Sequence, residues 1–287
     1  MSSSNLVVVG DSALYNSTGP RNTAIGSKAL YSTNTGSENT ATGYQAMYST
    51  TTGKYNTANG MSALSANDDG TSNTGIGWGA LLNNISGTNN AAIGVRALQT
   101  NSGGGNNTGL GTLADVSTGG LTNATAIGFQ AIVNASNKIR LGNSAVTVIE
   151  GQVAYTFPSD ARFKYNIKDD VPGLDFITKL KPVTYYFDEK KMDEFTRTGI
   201  INNSIRAASY NSEKQLHTGF LAQDVEKIAN ELGYKFDGVH APENDRDHYG
   251  IAYTQFIMPL VKSVQQQQKI IEEQNEKIND QQDQIKR

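Results

Sequence analysis

The pentapeptide NTAIG at 22–26 returns as NTATG at 39, NTANG at 56, NTGIG at 73, NAAIG at 90, NTGLG at 107 and ATAIG at 124, always 17 residues on. LVVVG at 6–10 is a first copy, one residue out of phase. A strict short period leaves a chain few options: each repeat must be one step of a structure that stacks on its neighbours, a solenoid. Seventeen residues are too few for a pair of helices. They fit one coil, and the Thr-, Ala- and Ile-rich stretches predict two short strands in each. Two glycines mark every coil, at Gly26 and Gly36 in the first full copy, where tight corners call for positive φ. Three residues after the first glycine comes an alanine, from Ala13 and Ala29 to Ala131, usually followed by a large apolar residue; Asp115 breaks that rule. An alanine in every coil marks a crowded place, either inside the coil or on an axis shared with other chains. So thin a coil buries little by itself, and several chains are expected to share one core.

These copies of NTAIGxxAL resemble the YadA-like head repeat over about residues 5–135. The resemblance implies a left-handed parallel β-roll in a homotrimer, as in trimeric adhesins and fibres. The repeat of those adhesins is usually shorter than 17. They also carry an export signal and a membrane anchor. The longest apolar run near the start here, LVVV at 6–9, is too short for either. The expectation is a protein outside the Sec route that does not insert in a membrane.

Composition changes sharply after the repeats. Residues 1–150 hold 22 of the 29 glycines but only 12 charged residues, and the other 39 charged residues follow. The expected division is a repeat shaft at 1–135, connecting strands at 136–157, and a separate domain at 158–287. In that last part the spacing predicts a helix over 173–180 between two prolines, a strand at 183–187, and a strand leading into a helix over 218–233 with Val225, Ile228, Ala229 and Leu232 on one face. Residues 189–216 read as a loop or insertion. From about 254 the chain is helical, and Ile257, Val264, Ile271, Ile278 and Ile285 fall seven apart, the seam of a coiled coil. The remaining core positions are mostly Gln or Asn, which set register and strand number more than stability.

SDARFKYNI (159–167), LKPVTYYFD (180–188), GFLAQDVEKI (219–228) and YTQFIMPLVKSVQQQQKIIEEQ (253–274), in that order, resemble the intramolecular chaperone domain of endosialidase-type phage tail spikes, the peptidase S74 family. The resemblance implies a domain that trimerises, drives folding of the fibre ahead of it, and then cuts itself off. It makes Ser159 the nucleophile and Lys164 the general base of a Ser–Lys dyad, with Pro158–Ser159 the scissile bond. Asp160, Arg162 and Asn166 match the family pattern as structural residues, and Phe163 stands where leucine is usual. A serine hydroxyl needs a base to take its proton, and lysine serves only when desolvation or a nearby cation lowers its pKa. Phe157, Phe163 and Tyr165 are the expected walls, with Arg162 as the neighbouring cation. The plainer reading of SDA is a helix cap, at Ser159 or Asp160.

Other chemistry finds little purchase. The net charge is −3, with no basic patch for nucleic acid, and there is no cysteine. GIGWG at 75–79 and GGG at 103–105 lack the Gly-Lys-Ser/Thr of a phosphate loop and sit in register with the repeat. His217, His240 and His248 lack ligand spacing and read as exposed loop residues. ENDRDH at 243–248 lacks the spacing of a calcium loop. No cofactor or metal is expected. The reading is a homotrimeric distal tail-fibre protein of a phage or phage-like injection device. It is assembled in the bacterial cytoplasm, joined to other tail or baseplate proteins, and directed at a host receptor or glycan. Its only enzymatic act is a single-turnover autocatalytic cut. A polysaccharide-degrading tailspike, which needs paired carboxylates, and a trimeric surface adhesin are the alternatives.

Overall fold

In the computed structural model, residues 5–196 and 215–286 are described, apart from the side chain of residue 193. They fall into two compact units. The first takes 5–149, 188–196 and 244–247; the second takes 150–187, 215–243 and 248–286.

The first unit is a parallel β-solenoid. Its main sheet has nine three-residue strands: β1 (Val7–Val9), β2 (Thr23–Ile25), β3 (Thr40–Thr42), β4 (Thr57–Asn59), β5 (Thr74–Ile76), β6 (Ala91–Ile93), β7 (Thr108–Leu110), β9 (Thr125–Ile127) and β11 (Ile139–Leu141). From β2 to β9 each residue pairs with the one 17 further on, as in Thr57 with Thr74. The first step is one residue shorter, pairing Val7 with Thr23, which is the phase slip seen in the sequence. The last is three shorter, pairing Thr125 with Ile139, so the sheet runs past residue 135. A second strand per coil was expected. Among the described residues only β8 (Asp115–Val116) and β10 (Ile132–Val133) form one, in the last coils. Elsewhere left-handed residues and side-chain hydrogen bonds close the coil.

The alternation of a strand decides which residues enter. In β2 the middle residue, Ala24, is fully buried and Ile25 faces out; Ala41, Ala58 and Ala92 repeat the buried position. Ala29, Ala46, Ala63, Ala80 and Ala97 are also fully buried, as are the Leu30, Met47, Leu64, Leu81 and Leu98 that follow them. The alanines therefore lie inside each coil and not on an axis shared between chains, and the single chain already has a continuous core. At Asp115 the carboxylate takes the place of the apolar residue and accepts hydrogen bonds from Thr100 N and Oγ1 and from Val116 N.

The two glycine rows differ. Gly60 has φ +139°, and a Cβ there would lie 2.6 Å from the Gly77 carbonyl oxygen. Gly53 has no positive φ, contrary to expectation; it is glycine because a Cβ would lie 2.5 Å from Gly70 O. The left-handed conformation is taken instead by side-chain-bearing residues. Leu30, Met47, Leu64, Leu81 and Leu98 have φ between 48° and 53°. Lys28, Gln45, Ser62 and Arg96 sit two residues before four of them with φ 54–58°, and Glu38, Tyr55, Ser72 and Asn89 form a third such row with φ 57–61°.

The asparagine that opens each repeat builds a ladder along the interior. Asn22, Asn39, Asn56, Asn73, Asn90 and Asn107 are at most 1% exposed. The Oδ1 of each accepts from the backbone N–H of the next ladder residue, as Asn39 accepts from Asn56 at 3.0 Å. Its Nδ2 donates to a backbone carbonyl of the following coil, a glycine's for the first five, as Asn39 donates to Gly53 at 2.9 Å, and that of Leu121 for Asn107. A second, shorter row, Asn67, Asn84 and Asn101, donates to the carbonyls of Gly70, Gly87 and Gly104. Thr33 and Thr50 hold that position in the earlier coils, and their hydroxyls are buried without a partner. Outside, Tyr15, Tyr31 and Tyr48 stack with centroids 5.4 and 5.2 Å apart.

In the second unit, β12 (Val183–Tyr186) pairs antiparallel with β13 (Leu216–Gly219), and β14 (Val239–His240) with β15 (Gly250–Ile251). The helix expected over 173–180 is a single turn, α1 (Leu174–Ile177), entered after Gly173 and unable to continue to Pro182. Helix α2 (Glu189–Thr196), part of the first unit, occupies sequence read as a loop; the rest of that stretch, 197–214, lies outside the described residues. Helix α3 (Ala222–Glu231) buries Val225 and Ala229 as expected. The core is small and aromatic: Phe176, Val225, Ala229 and Phe256, with Tyr234 and Phe236 around Phe176 at 5.3 and 5.1 Å. A 3₁₀ turn (Tyr253–Phe256) leads into α4 (Ile257–Ile285). Beyond its first two turns α4 buries no residue, and the heptad residues from Ile257 to Ile285 are 44–85% exposed. Gln266 ties α4 to α1 by accepting from Leu174 N at 2.7 Å, and Lys262 pairs with Asp169.

Candidate functional site

The segment 150–170 is exposed throughout and carries one short local structure. Residues 161–163 form a single 3₁₀ turn. Asp160 caps it: its carboxylate accepts from the backbone N–H of Arg162 at 2.9 Å and from the Arg162 guanidinium at 2.6–3.1 Å. The guanidinium beside Asp160 lowers the carboxyl pKa, and the carboxylate raises that of Arg162. Lys164 closes the turn, its N–H donating to Ala161 O at 3.2 Å. Asn166 then takes φ 54°, a left-handed value that asparagine accepts more readily than most residues.

The turn folds residue 164 back over residue 159. Lys164 Nζ donates to Ser159 Oγ at 2.7 Å. The cap and the Ser–Lys contact therefore coexist: Asp160 does the capping, which leaves Ser159 to the lysine. Arg162 does not act as the cation expected beside Lys164, because its charge is turned to Asp160. The expected walls are also absent in the single chain: Phe157, Phe163 and Tyr165 are 73%, 79% and 92% exposed. What remains is a serine hydroxyl and a lysine amine in contact within an exposed segment.

The histidines depart from expectation. His217 lies in β13 and stacks on Tyr185 at 5.5 Å, and His248 is half-buried with Nδ1 3.1 Å from Tyr249 O; only His240 is exposed. The acidic run 243–248 gives no metal cluster among the described residues. It does hold one site that its composition concealed. Asp247 is 3% exposed and paired with Lys138 at 2.7 Å. No helix among the described residues is long and apolar enough to cross a membrane.

The described residues thus form a parallel β-solenoid, a small α+β unit and a long helix exposed over most of its length. Residues 159–234, which begin at the serine of the pair, match the family model Peptidase_S74, chaperone of endosialidase. No curated protein and no solved structure gives a match.

Proposed function

We propose that this chain is the distal part of a homotrimeric tail fibre of a phage or phage-like injection device. Its C-terminal domain from residue 158 brings three chains together, drives folding of the solenoid, and then severs the Pro158–Ser159 bond. The single observation that carries the proposal is the 2.7 Å contact between Lys164 Nζ and Ser159 Oγ, at the first residue of the chaperone-of-endosialidase match. The trimer is supported by surfaces a lone chain leaves wet: the isoleucine seam of α4, and Val146, Val148, Val153, Tyr155 and Phe157 before the pair, 47–83% exposed. The repeats then form the shaft, docked on other tail or baseplate proteins and presenting its surface to a host receptor or glycan.

In this reading, packing of three chains over Phe157, Phe163 and Tyr165 withdraws Lys164 from water and favours its neutral amine. The amine takes the proton of Ser159 Oγ. The oxygen attacks the Pro158 carbonyl carbon through a five-membered ring, and the C–N bond breaks as the lysine returns the proton to the Ser159 nitrogen. The product is an ester between Pro158 and Ser159 Oγ. Water hydrolyses it to a Pro158 carboxylate and a Ser159 hydroxyl with a free α-amine. Because the site is its own substrate, it turns over once, and dependence on the trimer couples cutting to assembly.

The test is a denaturing gel with N-terminal sequencing. The unmodified protein should give pieces of about 158 and 129 residues, the second starting Ser-Asp-Ala-Arg. Ser159→Ala, Lys164→Ala and Lys164→Arg should each leave one band, arginine because it keeps its proton at any working pH. Cutting in Ser159→Ala would overturn the dyad. Light scattering on that variant should give about three times 30.8 kDa; a monomer at micromolar concentration would overturn the trimer.

A further inference from the structure

The loop 244–247 belongs to the first unit although it lies on the far side of the proposed cut. It is a preformed turn: Asp247 N donates to Asn244 O at 3.0 Å, and Asn244 Oδ1 accepts from Arg246 N at 2.9 Å. It grips the last coils of the solenoid at three points. Asn134, 2% exposed, donates through Nδ2 to Arg246 O at 2.8 Å. Asn244 Nδ2 donates back to Asn134 O at 3.0 Å. Lys138 Nζ meets Asp247 Oδ1 at 2.7 Å, with the aspartate side chain wholly buried. Helix α2, also from beyond residue 158, adds Met192 and Thr196 to a small cavity lined by Gln130, Ile132 and Arg140 of the same coils.

We infer that this loop is a docking surface between the two products of cleavage, and that residues 159–287 stay seated on the shaft after the Pro158–Ser159 bond is broken. The inference rests on the cleavage reading above. Breaking a peptide bond in the exposed segment 150–158 removes none of these contacts. Separation would have to open the Lys138–Asp247 pair and both asparagine hydrogen bonds together. The turn is held by its own hydrogen bonds, so little ordering is lost when it docks. In a trimer three such loops act together, and the fragment leaves only when all have opened. The partner this surface fits is thus the chain's own C-terminal fragment, held through its loop 244–247.

The test separates retention from self-cutting. In full-length Ser159→Ala protein, a site-specific protease sequence replaces 151–156, and the purified trimer is cut there with the added protease. On a native sizing column the two pieces should co-elute, while a denaturing gel shows both. With Lys138→Met, which leaves the buried Asp247 carboxylate without its lysine, the C-terminal piece should dissociate about a hundredfold faster or more. The swap Lys138→Asp with Asp247→Lys should restore retention in part. Asn244→Ala is the milder variant, with circular dichroism to check that the solenoid is intact. Separation of the nicked parent on the column would overturn the inference, and so would unchanged retention in the Lys138→Met variant. If the unmodified protein never cuts itself yet the nicked variant keeps its C-terminal piece, the dyad reading falls and the docking surface stands.

Discussion

Replacing Asn39 by alanine should destabilise the solenoid more than the same change at Asn73, two coils on. Both residues are fully buried and each accepts from the next ladder asparagine, Asn56 or Asn90, at 3.0 Å. Alanine at either place orphans that buried N–H. The carbonyl on the donor side separates them. Gly87 O receives Asn73 Nδ2 at 2.7 Å but also Asn84 Nδ2 at 3.1 Å, so it keeps a partner. Gly53 O receives only Asn39, because Thr50 stands where Asn84 stands in the later coil. A buried polar group left unpaired costs about 1–3 kcal/mol. Asn39→Ala, with two orphans, should therefore cost about 2–6 kcal/mol and Asn73→Ala, with one, about 1–3 kcal/mol. Thr50→Asn in the Asn39→Ala background should recover about 1 kcal/mol or more by donating to Gly53 O, and should not harm the parent. Urea unfolding of the Ser159→Ala protein, followed by far-ultraviolet circular dichroism, measures all of these without interference from cutting. The exposed Asn83→Ala, at a position without positive φ, is the control, expected within about 0.5 kcal/mol of the parent. Equal losses at Asn39 and Asn73, or no recovery from Thr50→Asn, would refute the hydrogen-bond assignment.

Gly60→Ala should abolish the folded solenoid or lower its unfolding midpoint severely, since the Cβ meets Gly77 O at 2.6 Å and φ is +139°, whereas Gly120→Ala, with nothing within 4 Å, should be silent in the same urea titration. Ile271→Asp with Ile278→Asp should shift the protein from trimer toward monomer in sedimentation equilibrium, each buried isoleucine contributing about 1.5–3 kcal/mol per chain; an unchanged trimer would make the seam dispensable. Ending the chain at residue 256 should impair formation of the shaft as well, and a normal trimer from that truncation would argue against the helix as the assembly nucleus.

The period of the shaft was legible because stacking forces equivalent residues onto equivalent positions, so the 17-residue spacing in the sequence is the spacing of the strand pairs. Which way each residue points was less legible. Alanine fits a coil interior and a shared axis equally well, and only the full burial of Ala29 within the single chain decides. The second strand per coil was read from β-formers, but left-handed backbone and the asparagine ladder do that work, and asparagine carries no strand or core signal. The ladder could have been found by asking why six successive repeats, from Asn22 to Asn107, open on Asn where Ser or Asp would be equally polar. At the candidate site, Ser159 and Lys164 were legible through the motif around them. Their exposure was not: Phe157, Phe163 and Tyr165 read as walls because aromatic residues usually seek cover, yet all three lie open in the single chain. Asp247 was hidden because a lone aspartate in ENDRDH looks solvated, and its partner Lys138 lies 109 positions away.

The left-handed rows set a condition on how the shaft can begin. A leucine or methionine at φ near 50° is disfavoured by about 1–2 kcal/mol, and most coils hold three non-glycine residues in that region. A coil without a stacked neighbour carries that strain with no ladder bonds to offset it, whereas a coil added to an existing one gains both. Extension is downhill and initiation is steeply uphill, as in a zipper with a stiff first tooth. The repeats are also nearly interchangeable, so two independent starts on one chain could meet a whole repeat out of step. A high threshold for starting makes the first seed the only one, and every later coil inherits its register.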